Sequence, residues 1–338
     1  MSTLSALYGR VASARRAWYR RRHLTVRRLP HPVVSVGNLV VGGSGKTPVV
    51  ALVARILLDR GQRPVVLSRG YARRQPQDGV VVVSDGRGVV ASVEHAGDEP
   101  FMLAHALPGI PVLVCEDRYL AGQLAAHRFG ATVSVLDDGF QHLQLARDVD
   151  LLLVGPADLE EDVLPTGRLR EPLGAAAVAH AVIVPGSAED AALVAARLGV
   201  MRRFTARTHM CAPRAVAPSI GGTDVPVRLP EPGDRVFAVS GIARPERFLA
   251  SLEQQGWRVA DHLAFRDHHW FSLADLARID AVATTAGATC VVTTEKDAVR
   301  LAAAGARPRV PWFSMPIQVV VEPAGDFADW LLERVTHP

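Results

Sequence analysis

The stretch that decides the fold is VSVGNLVVGGSGKTPVV, residues 34–50, in which an apolar run leads through a glycine-rich loop into a second apolar run. Its Gly45-Lys46-Thr47 matches the end of the phosphate-binding pattern G-x-x-x-x-G-K-[ST]. Val40 stands where that pattern begins with glycine, and Pro48 falls in the first helical turn, where its missing N–H costs little. The stretch therefore predicts a strand, a phosphate-binding loop and a helix. It is not a dinucleotide fingerprint, because no G-x-G-x-x-G follows a strand.

This loop predicts a nucleotide site. Its glycines free the backbone to turn N–H groups toward phosphate oxygens, and the helix N-terminus adds a favourable dipole. We expect Lys46 to reach the β- and γ-phosphates and the Thr47 hydroxyl to bind Mg²⁺. A glycine-rich turn that binds no phosphate is the alternative. The predicted cofactor-binding residues are Val40, Val41, Gly42, Gly43, Ser44, Gly45, Lys46 and Thr47.

A second stretch, TVSVLDDGFQH at residues 132–142, places two carboxylates at the end of an apolar strand. Adjacent carboxylates suit Mg²⁺, directly or through water. We therefore predict a metal site formed by Thr47, Asp137 and Asp138. Asp-Gly is also favourable turn chemistry, so a turn without metal is the alternative.

Apolar strands alternate with helical segments along the chain, which is typical of a parallel sheet covered on both faces. The predicted class is α/β, with a P-loop NTPase-like parallel-sheet domain at residues 1–211 and a second, smaller α/β domain at 235–338. The Pro- and Gly-rich stretch 212–234 indicates a linker. The predicted helices cover residues 47–60, 100–107, 118–129, 245–255, 273–285 and 295–303.

Charge is unevenly distributed, although the 338 residues carry a formal net charge of only +4. Residues 1–30 contain eight arginines and no acidic residue, so the rest of the chain is slightly acidic. A basic arm on an acidic body argues against a nucleic-acid groove across the fold. We predict no nucleic-acid partner, and no feature indicates a protein partner.

The composition favours a reducing cytoplasmic location. No apolar run approaches the length of a membrane span, and the arginine-rich start leads into no apolar stretch of a signal peptide. The cysteines Cys115, Cys211 and Cys290 lie far apart without metal-ligand spacing, so no structural zinc is expected.

Lysine is almost absent, since 36 of the 38 basic residues are arginine. A chain that uses arginine as its general cation retains lysine where a compact ammonium on a flexible stem matters, although chance survival is the alternative. The two lysines are Lys46 and Lys296. Two roles remain open for Lys296, capping of a backbone carbonyl and contact with nucleotide.

Two common P-loop classes fit poorly. GTPases read guanine with N/T-K-x-D, whereas the lysine outside the loop lies in TEKD, in the wrong order. Partitioning ATPases carry a lysine just before G-G-x-G-K-T, where this chain has Val41.

Eight motifs occur in order across residues 36–301, and they cover most of the chain. They are VGNLVVGGSGKTP, SRGY, GDEP, DDGFQH, LPTGRLREP, SGIARPERF, FRDHHWF and TTEKDAVRL. Together they closely resemble the tetraacyldisaccharide 4'-kinases of lipid A synthesis. The resemblance implies ATP-dependent phosphorylation of the 4'-hydroxyl of tetraacyldisaccharide 1-phosphate, yielding lipid IVA. It also implies that Val40 in place of glycine is the family's own pattern.

The resemblance further implies catalytic roles for Asp98, His268 and Lys46. Asp98 of GDEP accepts the proton of the sugar hydroxyl, His268 of the DHH sequence pairs with it, and Lys46 neutralises phosphoryl charge. Because Asp98 and His268 come from different predicted domains, we expect closure around substrate. Helix capping is the structural alternative, since Asp98 precedes Glu99-Pro100 and His268 precedes the near-capping-box sequence Ser272-x-x-Asp275.

Three arginines and a histidine are candidates for binding substrate. Arg69 of SRGY and Arg168 and Arg170 of LPTGRLREP carry guanidinium forks that suit anionic phosphates. Exposed loop arginines are the alternative. His142, with Gln141, is expected to support the aspartate pair or to contact substrate, and a plain structural role remains open.

The N-terminal arm has amphipathic character. Apolar residues recur at helical spacing from Leu4 to Trp18, and Arg15 and Arg22 interrupt their stripe. We predict that this helix lies on the cytoplasmic face of the inner membrane, so that the protein is cytoplasmic and peripherally membrane-associated. A solvated basic helix packed on its own domain and an organelle transit peptide are the alternatives.

Two other function classes remain open beside the lipid kinase. A soluble small-molecule kinase accounts for the P-loop but not for the basic amphipathic arm. A nonenzymatic P-loop switch has no need of Asp98 and His268 together.

Overall fold

The computed structural model describes residues 2–21, 26–43, 45–216, 228–305 and 309–337. Two short 3-10 helices cover Pro156–Glu160 and Leu173–Val178. The α-helices are α1 (Thr3–Arg21), α2 (Lys46–Asp59), α3 (Val93–Ala96), α4 (Asp98–Ala106), α5 (Arg118–Phe129), α6 (Ala188–Leu198), α7 (Pro245–Gln254), α8 (Leu273–Thr285), α9 (Glu295–Ala303) and α10 (Ala324–Thr336). The strands are β1 (Val33–Asn38), β2 (Pro64–Ser68), β3 (Val81–Asp85), β4 (Pro111–Val114), β5 (Val133–Asp137), β6 (Val149–Leu153), β7 (Ala181–Pro185), β8 (Arg203–Met210), β9 (Arg214–Ala215), β10 (Arg235–Ser240), β11 (Arg258–Ala264), β12 (Cys290–Thr294), β13 (Trp312–Met315) and β14 (Ile317–Glu322).

The strands form two sheets. The large sheet has the order β14-β8-β7-β6-β1-β5-β2-β4-β3, and the small sheet has the order β11-β10-β12-β13-β9. In the large sheet every pairing from β8 to β4 is parallel, and the edge strands β14 and β3 are antiparallel. The small sheet is parallel except for β9. The prediction of an α/β fold with a large, mostly parallel sheet is confirmed.

Side chains of the central strands alternate between two buried faces of the large sheet. In β2, Val66 packs in the apolar cluster that includes side chains of α2, α4 and α10, whereas Val65 and Leu67 pack in the cluster that includes α5. Both faces are covered, so nearly every position of such a strand is apolar. These continuous apolar runs made the strands recognisable in the sequence.

The strand pairing differs from the predicted domain bounds at the carboxyl end. Strand β14 returns to pair with β8 of the large sheet, and α10 packs in the core on that sheet. Residues 317–336 therefore join the large sheet, although the sequence placed them in the domain at 235–338. Strand β9 lies in the predicted linker and pairs with β13 of the small sheet. Residues 217–227 of that linker lie outside the described residues.

Candidate active site

The glycine-rich loop connects β1 to α2. Gly42 and Gly45 have φ angles of +93° and +77°, in the region that favours glycine. Among the described residues, nothing lies within 4 Å of the position that a Cβ would take at Gly43. This open backbone before a helix N-terminus is suited to phosphate oxygens. Ser44, which the sequence included in the site, lies outside the described residues.

The start of the loop is braced by a neighbouring segment. Val40 is 1% exposed and forms an antiparallel bridge with Leu169. The N–H of Val41 donates to the Arg168 carbonyl at 2.8 Å, and the Arg168 side chain donates to the Val41 carbonyl at 3.2 Å. Arg168 also donates to Glu161 at 3.2 Å. Its guanidinium thus holds the P-loop, which the sequence did not predict.

Lys46, the first residue of α2, reaches the carboxylates at the end of β5. Its ammonium donates to Asn38 Oδ1 at 3.0 Å and lies 3.3 Å from Asp138 Oδ1. Asp137 is buried and accepts a hydrogen bond from Ser68 at 2.9 Å through Oδ2. Its Oδ1 has no hydrogen-bond partner within the part of the chain that the structure describes. An unpartnered buried carboxylate oxygen calls for a ligand at this point.

The donor set suits a cation that is also bound to phosphate. Thr47, Asp137 and Asp138 line the same cleft. Within the described ranges, no group of three or more His, Cys, Asp or Glu side chains is arranged to hold a metal ion alone. Mg²⁺ commonly takes one or two carboxylates together with substrate phosphates, and these three residues fit that requirement.

The two adjacent aspartates differ in their electrostatic environment. Burial and the charge of Asp138 raise the pKa of Asp137. Burial also acts to raise the pKa of Asp138, but the charges of Lys46 and Arg170 outweigh it and the pKa lies below its ordinary value. Arg170 donates to Asp138 Oδ2 at 2.7 Å. This arginine, predicted to bind substrate, therefore contacts a carboxylate of the predicted metal site.

A second charged cluster lies where the two sheets meet. Asp98, the first residue of α4, is 4% exposed, and its Oδ2 lies 3.0 Å from Nδ1 of His268. The same oxygen lies 3.1 Å from Nη2 of Arg300 and 3.9 Å from Nζ of Lys296, both on α9. The fold thus brings together the predicted pair Asp98 and His268 and adds two cations that the sequence did not assign to it.

The two carboxylate oxygens of Asp98 have different neighbours. Its Oδ1 accepts the N–H of Glu99 at 2.9 Å, whereas Oδ2 faces the charged cluster. The N-cap of α4 is Gly97 and Asp98 is the first helical residue, so the capping alternative for Asp98 is wrong. Burial raises the pKa of Asp98, but the contact with His268 and the charges of Lys296 and Arg300 outweigh burial, so its pKa lies below the usual range. Asp98 is therefore ionised at neutral pH and able to accept a proton.

Glu99 lines the cleft and was not singled out in the sequence. Burial, with the charges of Asp137 and Asp98, raises the pKa of Glu99 to about 7. The one sequence feature that could have pointed to Glu99 as a site residue is its position beside Asp98 in GDEP. Its environment depends on Asp137, which is distant in sequence and brought near only by the fold.

Two arginines and a histidine lie beside the aspartate pair. Arg69, Arg118 and His142 line the cleft, and Arg118 is 4% exposed. Burial lowers the pKa of His142 to about 4, with a further contribution from the charge of Arg118. Burial and the charge of Arg69 lower the pKa of Arg118. No motif pointed to Arg118, because its proximity to Arg69 depends on strand order.

Helix α1 packs beside the loop that braces the P-loop. Arg16 Nε donates to Glu171 Oε2 at 3.1 Å, and its guanidinium carbon lies 4.4 Å from the centre of the Phe140 ring. Among the described residues, no helix is long and apolar enough to cross a membrane. Arg22 lies outside the described residues. The apolar side chains that α1 exposes are Leu4, Leu7, Tyr8, Val11 and Trp18.

The fold and this site define a P-loop phosphotransferase. A family model described as tetraacyldisaccharide-1-P 4'-kinase matches residues 1–336. The chain belongs to the tetraacyldisaccharide-1-P 4'-kinase family. It is accordingly a kinase that uses ATP with Mg²⁺. It phosphorylates the 4'-hydroxyl of a lipid-linked disaccharide 1-phosphate in lipid A biosynthesis. The predicted family, enzyme class, reaction and cofactors are confirmed.

Individual relatives agree over nearly the whole chain. The tetraacyldisaccharide 4'-kinase of Syntrophus aciditrophicus is 39% identical over 326 residues, which cover 91% of this chain and 85% of the relative. That of Pelobacter propionicus is 42% identical over 299 residues, covering 88% and 81%. The crystal structure of LpxK from Aquifex aeolicus in complex with ATP superimposes with a TM-score of 0.76 at 30% identity, covering 98% of this chain and 97% of that one.

Proposed function

We propose that phosphoryl transfer occurs in the cleft between the two sheets, with Asp98 as the proton acceptor. The observation that carries this proposal is the buried Asp98 carboxylate, ionised at neutral pH and 3.0 Å from His268. The 4'-hydroxyl loses its proton to Asp98 as its oxygen bonds to the γ-phosphorus of ATP. The bond from the γ-phosphorus to the bridging oxygen breaks, and ADP leaves.

We assign the phosphate side of the reaction to the P-loop and the β5 carboxylates. The loop N–H groups and Lys46 meet the charge on the β- and γ-phosphates. Thr47, Asp137 and Asp138 would hold Mg²⁺, which neutralises phosphate charge when bound. The cleft has a volume of about 1840 Å³, larger than a typical small-molecule site, which is consistent with two substrates side by side.

We assign the anionic group of the lipid substrate to Arg69, Arg118 and His142. All three line the cleft next to the aspartate pair, and two are permanent cations. Arg168 and Arg170 receive indirect roles, because their guanidinium groups donate to Glu161 and to Asp138. They would support the P-loop and the metal carboxylate and would not grip the substrate.

We further propose that α1 rests on the cytoplasmic face of the inner membrane. The helix carries arginines, and three of its apolar side chains are between 59% and 66% exposed, namely Leu4, Leu7 and Val11. Apolar side chains with basic neighbours are characteristic of interfacial helices. Tyr8, Val11 and Arg15 also line the cleft, which is consistent with a lipid entering along α1.

Transfer of label from γ-labelled ATP to the lipid disaccharide 1-phosphate tests the role of Asp98. Asp98→Asn preserves the shape of the side chain but removes the basic oxygen. We expect kcat to fall by about 10²- to 10⁴-fold while ATP binding persists, the range for losing a positioned general base. Turnover within a few-fold of wild type would exclude Asp98 as the acceptor.

A further inference from the structure

We propose that Lys296 is a positioning residue for this reaction, which fixes the tautomer and orientation of His268 toward Asp98. The proposal rests on the roles proposed above for Asp98 and His268. The sequence left two roles open for this lysine, capping of a backbone carbonyl and contact with nucleotide, and the proposal gives it a different one.

The contacts of Lys296 determine where the proton of His268 lies. Its Nζ lies 3.0 Å from His268 Nε2 and 3.0 Å from Asp267 Oδ1. An ammonium has three donors and no acceptor, so Nε2 must accept and carry no proton. A neutral imidazole then holds its proton on Nδ1, which lies 3.0 Å from Asp98 Oδ2. This tautomer places the imidazole proton on the ring nitrogen that lies nearest the Asp98 carboxylate.

The loop that carries His268 is held in part by the same helix that carries Lys296. His268 has a φ of +57°, an uncommon conformation that the surroundings must maintain. Its N–H donates to the Gly241 carbonyl at 3.2 Å. One turn after Lys296, Arg300 donates to the His269 carbonyl at 2.9 Å. Helix α9 therefore holds the loop through Arg300 and the ring through Lys296.

The residue type at 296 is informative in this chain. Arginine supplies nearly every cation, and the lysine outside the P-loop occurs at this contact. Its side chain is 17% exposed, so it is not a generic surface cation. A compact ammonium can direct donors to a ring nitrogen and to a carboxylate together, whereas a planar guanidinium has a fixed fork.

The ionisation of Asp98 gives a readout that a purely structural lysine would not change. The groups around this carboxylate are His268, Lys296 and Arg300, with Glu99 next to it in the chain. The charge of Lys296 contributes to the lowered pKa of Asp98. The basic form is present above that lowered pKa and is lost as pH falls through it. Removing Lys296 should raise the pKa, so the acidic limb of the kcat profile should move to higher pH.

Kinetics of Lys296→Met and Lys296→Arg in the full chain test the inference. We expect the methionine variant to lose about 10- to 100-fold in kcat, as do variants of groups that orient metal-binding imidazoles, with the KM for ATP little changed. The acidic limb of its kcat–pH profile should move to higher pH. The arginine variant should return this limb to its wild-type pH but should not recover the full kcat. If Lys296→Met keeps the wild-type kcat and the wild-type acidic limb while Asp98→Asn is inactive, the inference is wrong. The proposed function would then remain intact.

A spectroscopic measurement covers the case in which Lys296→Met folds poorly. The nitrogen-15 chemical shifts of the His268 ring report which ring nitrogen carries the proton. The His268 signals are assigned as those that disappear in the His268→Gln variant. We expect the Nδ1–H tautomer in the wild-type protein. A proton on Nε2 would refute the proposal whatever the variants show, and an active Asp98→Asn would instead refute the proposed function.

Discussion

Asp98 and His268 lie on different sheets, yet Oδ2 of one is 3.0 Å from Nδ1 of the other. Asp98 begins α4 on the large sheet, and His268 lies between β11 and α8 of the small sheet. The charged cluster is therefore complete only when both sheets contribute.

This relationship predicts non-additive kinetics. Asp98→Ala and His268→Ala should each lower kcat strongly and leave ATP binding largely intact. The double variant should be little worse than the poorer single variant, because residues that act as a unit are not additive. A double-mutant cycle on kcat measures this coupling. Losses that add in full would mean that the two residues do not cooperate.

Lys46 should act on the transferring phosphoryl group. Lys46→Ala removes a cation that lies 3.3 Å from Asp138, next to the expected position of the phosphates. We expect kcat to fall by at least about 10²-fold at saturating ATP, the scale for losing one preorganised electrostatic contact. Lys46→Arg is the control that keeps the charge. Near-wild-type turnover of the alanine variant would contradict the assignment of the phosphate site.

Arg170 offers a test between substrate binding and support of the metal site. Arg170→Ala removes the charge-assisted hydrogen bond to Asp138, worth roughly 1.5–3 kcal/mol. We expect about tenfold more Mg²⁺ to be needed for half-maximal activity, with little change in the KM for lipid. Arg69→Ala is the matched comparison, and it should raise the KM for lipid instead. A rise confined to the lipid KM in Arg170→Ala would favour direct substrate binding.

The sequence predicted the central strands well and the edge of the large sheet poorly. Strands β1, β5 and β6 are buried throughout and read as largely apolar runs, as buried parallel strands do. Strand β14 alternates between exposed and buried positions at the edge and lies far from β8 in the chain. Its return to the large sheet depends on pairing that local patterns do not encode.

The candidate site was predicted in the same uneven way. The P-loop and Asp137 carry their chemistry in a short stretch, so spacing was enough. The roles of Asp98 and His268 came from resemblance, since either residue alone reads as a helix cap. The contact of Arg300 with Asp98 joins α9 to α4 and leaves no local pattern. Sequence shows which side chains carry charge, whereas the fold decides which charges meet.

The attachment of α1 should depend on the ion pair between Arg16 and Glu171. Their side chains are 6% and 4% exposed, so removing one partner leaves a buried charge. Arg16→Met should destabilise the docked helix by about 3 kcal/mol, at the lower end for breaking a buried pair. Urea unfolding and amide hydrogen exchange of α1 measure this. The double variant Arg16→Met with Glu171→Met should recover part of the lost stability. If its loss of stability equals the sum of the losses of the two single variants, the two residues are not coupled.

The exposed face of α1 can be tested without disturbing its docked face. Deleting the helix would also remove the Arg16–Glu171 pair, so substitutions are the sharper design. Serine at Leu4, Leu7 and Val11 removes exposed apolar area and keeps every arginine. Serine at three exposed apolar positions outside α1, namely Val90, Leu193 and Leu273, is the matched control.

We expect the α1 variant to bind vesicles containing anionic lipid at least about tenfold more weakly, because interfacial binding scales with buried apolar area. Its KM for lipid should rise more than its KM for ATP. High salt should weaken binding of the wild-type protein in part, since each arginine near an anionic surface contributes roughly 1 kcal/mol and is screened. Vesicle sedimentation equal to that of the control variant would show that α1 is not the membrane contact.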